Sequence, residues 1–241
     1  MEEAGWWVER RRKTLIDVMR KILQDKKEPR ILDAGCGPGG TSIHFLPFGI
    51  IFGTDFSISA LRLAVKKGLQ NVFRSTLTSL PIQNEVFDVI IALDVLEHFE
   101  NDSKVLMELK KSLKQDGFLI ITVPAFQFLW SEHDVALSHF RRYNISTLTK
   151  VLHDSGFEVI RVSYLGSLIF PMFAIYRILT RFRVKKENPK PTDPRFPQFI
   201  NHFLEKIMSL EIMLSKRFNL PFGISIICLA KKYSFLNNKG E

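Results

Sequence analysis

A chain of 241 residues, 46% hydrophobic and 24% charged, has an ordinary globular balance. It is long enough for one well-cored α/β domain with an insertion and short for two independent domains. Two cysteines argue against a disulfide framework and fit a reducing cytoplasm, and the charged stretch from Met1 to Lys13 around two tryptophans reads against a signal peptide. The net charge of +9 gathers in Arg10–Lys13, Lys26–Arg30 and Arg181–Lys186, which leaves nucleic acid, an anionic membrane surface and a plain solvated face all open.

Periodicity predicts an amphipathic helix over Trp6 to Leu23, after which Pro29 resets the backbone before a first strand. A helix start is expected at Thr41–Phe45 and a second strand at Ile50–Thr54. Ser57 is a good N-cap for a helix that ends at Gly68. Strands follow at Val72–Thr76 and Phe87–Leu93, the latter a continuous apolar run suited to a parallel sheet. A helix over Asp102–Lys114, closed by Gly117, precedes a strand at Phe118–Val123. Ser146 is expected to cap a helix running to His153, and the last strands fall at Phe157–Tyr164 and Ile224–Ala230.

This alternation predicts a doubly wound, Rossmann-like sheet of seven mostly parallel strands with helices on both faces. Residues 1–164 and 223–233 form the expected core. Residues 165–222 form an insertion between the last two strands, with an apolar helix, a basic proline-rich link (Lys185–Pro197) and an amphipathic helix (Gln198–Arg217). The apolar helix is too short for a bilayer span. The insertion is open between a packed hairpin, a dimer contact, a lid over a hydrophobic pocket and a patch on a membrane surface.

The most informative run is I-L-D-A-G-C-G-P-G-G, residues 31–40. Gly35, Gly37 and Gly39 remove side chains where the chain leaves the sheet, so backbone N–H groups can face a ligand. Cys36 lies inside this turn. About 20 residues on, Asp55 ends the second strand, where a doubly wound sheet holds ribose hydroxyls. Asp33 adds negative charge where a pyrophosphate would approach, which disfavours NAD and suits the ammonium of a sulfonium amino acid.

These residues, with A-L-D-V-L-E-H at 92–98, resemble class I S-adenosylmethionine-dependent methyltransferases, and within them the type 11 and type 12 small-molecule branch. The resemblance implies that Asp33, Gly35, Cys36, Gly37 and Gly39 surround the methionine end of the cofactor. It implies that Asp55 holds the ribose, Phe56 and Leu77 flank the adenine, and the segment around Asp94 lines the same cleft. Thr76 stands where relatives carry an acid for the adenine amino group.

On the acceptor side, Trp130, Arg141, Arg142 and Tyr143 are candidate substrate-binding residues in the segment after the fifth strand. His133, ahead of His139, is the expected base, with Asp134 to orient it. Arg141 and Arg142 suit a phosphate or carboxylate. Glu97 and His98 read as capping residues. No metal is expected, because no zinc spacing is present. The implied function is methylation, O-directed, of a small hydrophobic or lipid-linked acceptor in the cytoplasm or at the membrane's inner face, with a homodimer possible. A nucleic-acid methyltransferase and a non-catalytic module that keeps the fold are the alternatives.

Overall fold

The structure is a computed structural model that describes residues 6–180, 207, 210–215 and 217–233. The elements in chain order are α1 (Trp6–Leu23), β1 (Arg30–Ala34), β2 (Ile50–Asp55), α2 (Ile58–Lys66), β3 (Asn71–Arg74), β4 (Phe87–Leu93), α3 (Asp102–Ser112), β5 (Leu113–Pro124), α4 (Glu132–Ala136), α5 (Ile145–Asp154), β6 (Phe157–Leu165), α6 (Phe170–Thr180) and β7 (Ser225–Lys232). The sheet runs β3-β2-β1-β4-β5-β7-β6. Every pair up to β5 is parallel, and β7 runs antiparallel to both β5 and β6.

Period-2 alternation divides the strands between two apolar layers. Leu32, Ile90, Leu119 and Ile121 fill one face, and Ile31, Val89, Ile91 and Ile120 fill the other. All eight are fully buried, each contributing roughly 1.5–3 kcal/mol. Two covered faces explain why β4 has no polar alternation apart from Asp88 at its start. Because β1, β2, β4 and β5 are parallel, their carboxyl ends share one edge, and the loops there form the cleft.

Ser57 caps α2 as expected, its Oγ accepting the Ala60 N–H at 3.2 Å. Several boundaries differ from the sequence reading. Residues Ser42–Phe48 form a 3-10 segment containing Pro47, which cannot supply an α-helical N–H. β3 stops at Arg74, because the chain turns where Thr76 Oγ1 accepts the Thr78 N–H at 3.2 Å. α3 ends at Ser112 and Leu113 joins β5 by pairing with Phe87, so Gly117 lies within the strand after a shift of register. Asn144, not Ser146, caps α5, in a reciprocal box with Thr147.

In the insertion, α6 and the helical residues 210–215 are described; the basic link Lys185–Pro197 and most of the helix expected at Gln198–Arg217 lie outside the described residues. Glu211 ties this part to the core, accepting from Arg10 of α1 and from the Gly166 N–H, both at 2.7 Å. No helix among the described residues is long and apolar enough to cross a membrane.

Candidate active site

The glycine turn is pinned to the strand beside it. The Gly35 and Cys36 N–H groups both donate to the Thr54 carbonyl, at 2.8 and 3.0 Å. Asp55 completes the hold: one carboxylate oxygen accepts the Gly37 N–H at 3.0 Å, the other the Ser57 N–H at 2.8 Å. Gly35 has φ +83°, and a Cβ there would stand 2.6 Å from Val95 Cγ2. A side chain is excluded both by backbone conformation and by the chain leaving β4.

Asp33 is 2% exposed and accepts a 2.5 Å hydrogen bond from Ser42 Oγ. Burial pushes its carboxyl up to about 6, against the Ser42 bond and nearby Arg11, which pull it down. Burial also drives the Cys36 thiol far above its ordinary value, with Asp33 and Asp55 adding to the effect, so the thiol stays protonated and is no nucleophile.

Asp94 follows β4 with φ +52°. Its carboxylate accepts from Thr122 Oγ1 at 3.0 Å and pairs with Arg11 of α1. The sequence reading missed Arg11, which is set by an ion pair spanning 83 residues. It brings a cation into an ion pair with Asp94 and within electrostatic reach of Asp33. Phe56 is 67% exposed, with the Arg74 guanidinium 4.8 Å from its ring centre, so an aromatic face stands open at the tip of β2. Leu77 is buried, while Thr76 is exposed with Oγ1 2.7 Å from Thr78 Oγ1.

The segment after β5 folds over the loop after β4, where Phe140 N–H donates to the Glu97 carbonyl at 2.7 Å. Asp134 is its anchor. Fully buried, it accepts from Arg142 Nε at 2.7 Å and Nη2 at 3.1 Å and lies 3.1 Å from His139 Nδ1. Burial alone would raise its carboxyl, but the His139 and Arg142 contacts outweigh that and hold it well below the usual range.

His139, rather than His133, is therefore the histidine oriented by a carboxylate. Its ring meets the His98 ring edge to face, with centres 4.6 Å apart. His133 sits on α4, where burial and the Arg177 charge lower its pKa. Arg142 also donates to the Ala125 carbonyl at 3.1 Å, and Tyr143 OH donates to Asp102 at 2.8 Å. Both side chains face inward and brace the segment, where an acceptor-binding role was expected. Arg141 pairs with Asp102 at 3.3 Å, and Trp130 is half-buried after a short 3-10 turn.

An S-adenosylmethionine cofactor fits the cleft on these observations: a glycine-rich turn, a buried acid for an ammonium, Asp55 beside the turn for the ribose, and an open aromatic face for the adenine.

Comparison with known proteins agrees. The family model "Methyltransferase domain" matches residues 7–162. The chain is 32% identical over 114 residues to the uncharacterized methyltransferase YcgJ of Bacillus subtilis, covering 44% of this chain and 45% of that protein. It is 30% identical over 104 residues to a ubiquinone biosynthesis O-methyltransferase of Glaesserella parasuis, covering 39% and 44%. The matches thus span about half the length of these relatives. In structure it resembles Haemonchus contortus phosphoethanolamine N-methyltransferase 2, solved in complex with S-adenosyl-L-methionine, with a TM-score of 0.61 at 18% identity, covering 92% of this chain and 52% of that one. By the extent of the family match and the cleft at the ends of β1, β2 and β4, this chain belongs to the class I S-adenosylmethionine-dependent methyltransferases.

Proposed function

We propose that this protein methylates an oxygen of a small, hydrophobic acceptor. The observation that carries this reading is the Asp134–His139 pair in the segment that folds over the loop after β4. A hydroxyl must shed a proton to become a good nucleophile, whereas a neutral amine need not. An imidazole fixed by a buried carboxylate is the group that such an acceptor requires.

When bound, S-adenosylmethionine supplies a methyl group on a positively charged sulfur. The chain's own residues do the rest. Asp33 and Arg11 present opposite charges to the two ends of an amino acid. Asp55 holds the glycine turn so that backbone faces the ligand. The loop after β4 and the segment after β5 keep the acceptor in line and exclude water.

A hydrophobic acceptor is supported by an aromatic wall beside this segment. Phe126 stacks on Tyr164 with ring centres 4.9 Å apart, and Phe170 lies 5.4 Å from Phe222. Phe128 and Phe222 remain over two-fifths exposed, as do Met172, Ile175, Tyr176 and Leu179 of α6. Such a continuous apolar surface suits a lipid-linked acceptor, with residues 165–222 as the acceptor-side insertion on a methyltransferase core. The basic charge favours nucleic acid less than the composition implies, since Arg10, Arg11 and Arg12 all pair with acids.

The test is transfer of labelled methyl from S-adenosylmethionine to a panel of polyprenylated phenols, free phenols, amines and tRNA. Acid-stable O-methyl products on the hydrophobic phenols are expected. Methylation of amines or tRNA alone overturns the oxygen assignment.

A further inference from the structure

Glu97 is fully buried, and among the described residues neither carboxylate oxygen finds a hydrogen-bond partner in another residue. A buried carboxylate left this way is costly, and native structures nearly always explain such a group. What stands beside it is two imidazoles. Glu97, His98 and His139 each offer a ligand atom, and these atoms lie within 4.8 Å of one another.

We propose that Glu97, His98 and His139 form a binding site for a divalent first-row transition-metal ion. One carboxylate and two imidazoles are the donor set that such ions take. Bonds of about 2.0–2.2 Å would bring the ligand atoms to about 3.4 Å apart, a closure of up to about 1.4 Å that falls to side-chain rotation. Behind His139 stands Asp134, 3.1 Å from Nδ1, in the carboxylate–histidine arrangement that fixes a ligating ring and its tautomer. Glu97 forms the floor and His98, exposed to solvent, forms the rim, so an ion has a route in.

Three protein ligands leave a coordination position open at the carboxyl end of β4. An acceptor hydroxyl bound there would be held beside the cofactor cleft and made more acidic by the ion. That use rests on the oxygen-methylation reading above and changes the part His139 plays in it: with an ion bound, His139 would be a ligand instead of the base, and the acidified hydroxyl would lose its proton to solvent at the exposed His98 rim before its oxygen takes the methyl group and leaves S-adenosylhomocysteine. Ion binding itself does not depend on that reading.

The experiment uses the full chain without a histidine tag, stripped with chelator, and titrated with Co2+ by visible absorption and with Zn2+ by calorimetry. S-adenosylhomocysteine binding is measured in parallel. We expect uptake of one ion per chain, weakened at least tenfold in Glu97→Gln and in the rim variant His98→Ala. Asp134→Asn should weaken it by about 10–100-fold. No uptake by the wild-type chain, or uptake unchanged in both Glu97→Gln and His98→Ala, overturns the site. If S-adenosylhomocysteine binds normally while the ion does not, only this inference fails. If the ion binds and S-adenosylhomocysteine does not, the methyl-transfer reading fails instead.

Discussion

The Asp55 carboxylate spans the glycine turn and the start of α2, taking the Gly37 N–H at 3.0 Å on one oxygen and the Ser57 N–H at 2.8 Å on the other. An acid expected to serve the ribose therefore also shapes the loop beneath it. Hydrogen bonds to a charged group contribute about 1.5–3 kcal/mol each.

Asp55→Ala should accordingly weaken S-adenosylhomocysteine binding by roughly 10–100-fold and lower the melting temperature of the unliganded protein. Asp55→Asn, which keeps one acceptor, should fall between them. Calorimetry and thermal melting on the same samples check both effects. Normal binding by Asp55→Ala would remove this residue from the cofactor site.

Asp33 makes cofactor affinity depend on pH. The groups facing it are Ser42, Arg11, Asp55 and Cys36, and its folded pKa is raised to about 6. Below that pH it is protonated and loses its attraction for an ammonium, so affinity should rise from pH 5 to pH 7.5. The unfolded value is about 3.9, so ionising Asp33 in the fold opposes stability. Its contribution is present at low pH and is lost as pH rises through 6. Asp33→Asn should therefore flatten the affinity profile while gaining stability relative to wild type as pH increases. An affinity profile in Asp33→Asn as steep as wild type would assign the dependence to another group.

The glycines should not behave alike. At Gly35 an added Cβ meets Val95 Cγ2 at 2.6 Å, and at Gly39 it meets Ala64 Cβ at 2.9 Å. At Gly37, φ +52°, nothing lies within 4 Å. Gly37→Ala should lose about 1–2 kcal/mol for its left-handed backbone, and Gly35→Ala distinctly more. Urea unfolding of the three alanine variants gives the order; equal losses would mean that the contacts with Val95 and Ala64 relax freely.

Asp134→Ala leaves the Arg142 guanidinium buried and unpaired, and breaking a buried pair in this way costs about 3–5 kcal/mol. His133→Ala, one residue earlier on the same helix, should cost much less in stability. If the two variants unfold at the same urea concentration, Asp134 is not the anchor of this segment.

The fold elements that carry the expected cofactor cleft were legible in the linear chain. Each feature there is local: an apolar strand, a turn that only glycines can make, an acid at the next strand tip. Ser57 was readable as a cap for the same reason, since its partner is three residues away. The end of α3 was not, because Leu113 pairs with Phe87 of a distant strand; β3 ends early because the threonine side chains at 76 and 78 close a tight turn where β-branched residues favour a strand.

On the acceptor side the residues were in view but their roles were not. The sequence alone marks His133, Asp134, His139, Arg141, Arg142 and Tyr143 as polar groups on one segment. It does not say which histidine takes the carboxylate, because both lie within a few residues of Asp134. The fold settles that by laying the segment across the loop after β4, so that His139 meets His98 while Arg142 and Tyr143 turn inward. Glu97 and Arg11 gain meaning only from this assembly. A carboxylate next to a strand looks like a cap until burial removes its partners, and an arginine on an amphipathic helix looks solvated until Asp94, 83 residues away, closes on it. Short-range sterics and hydrogen bonding are written in sequence order, whereas burial and charge pairing depend on which distant segments pack together.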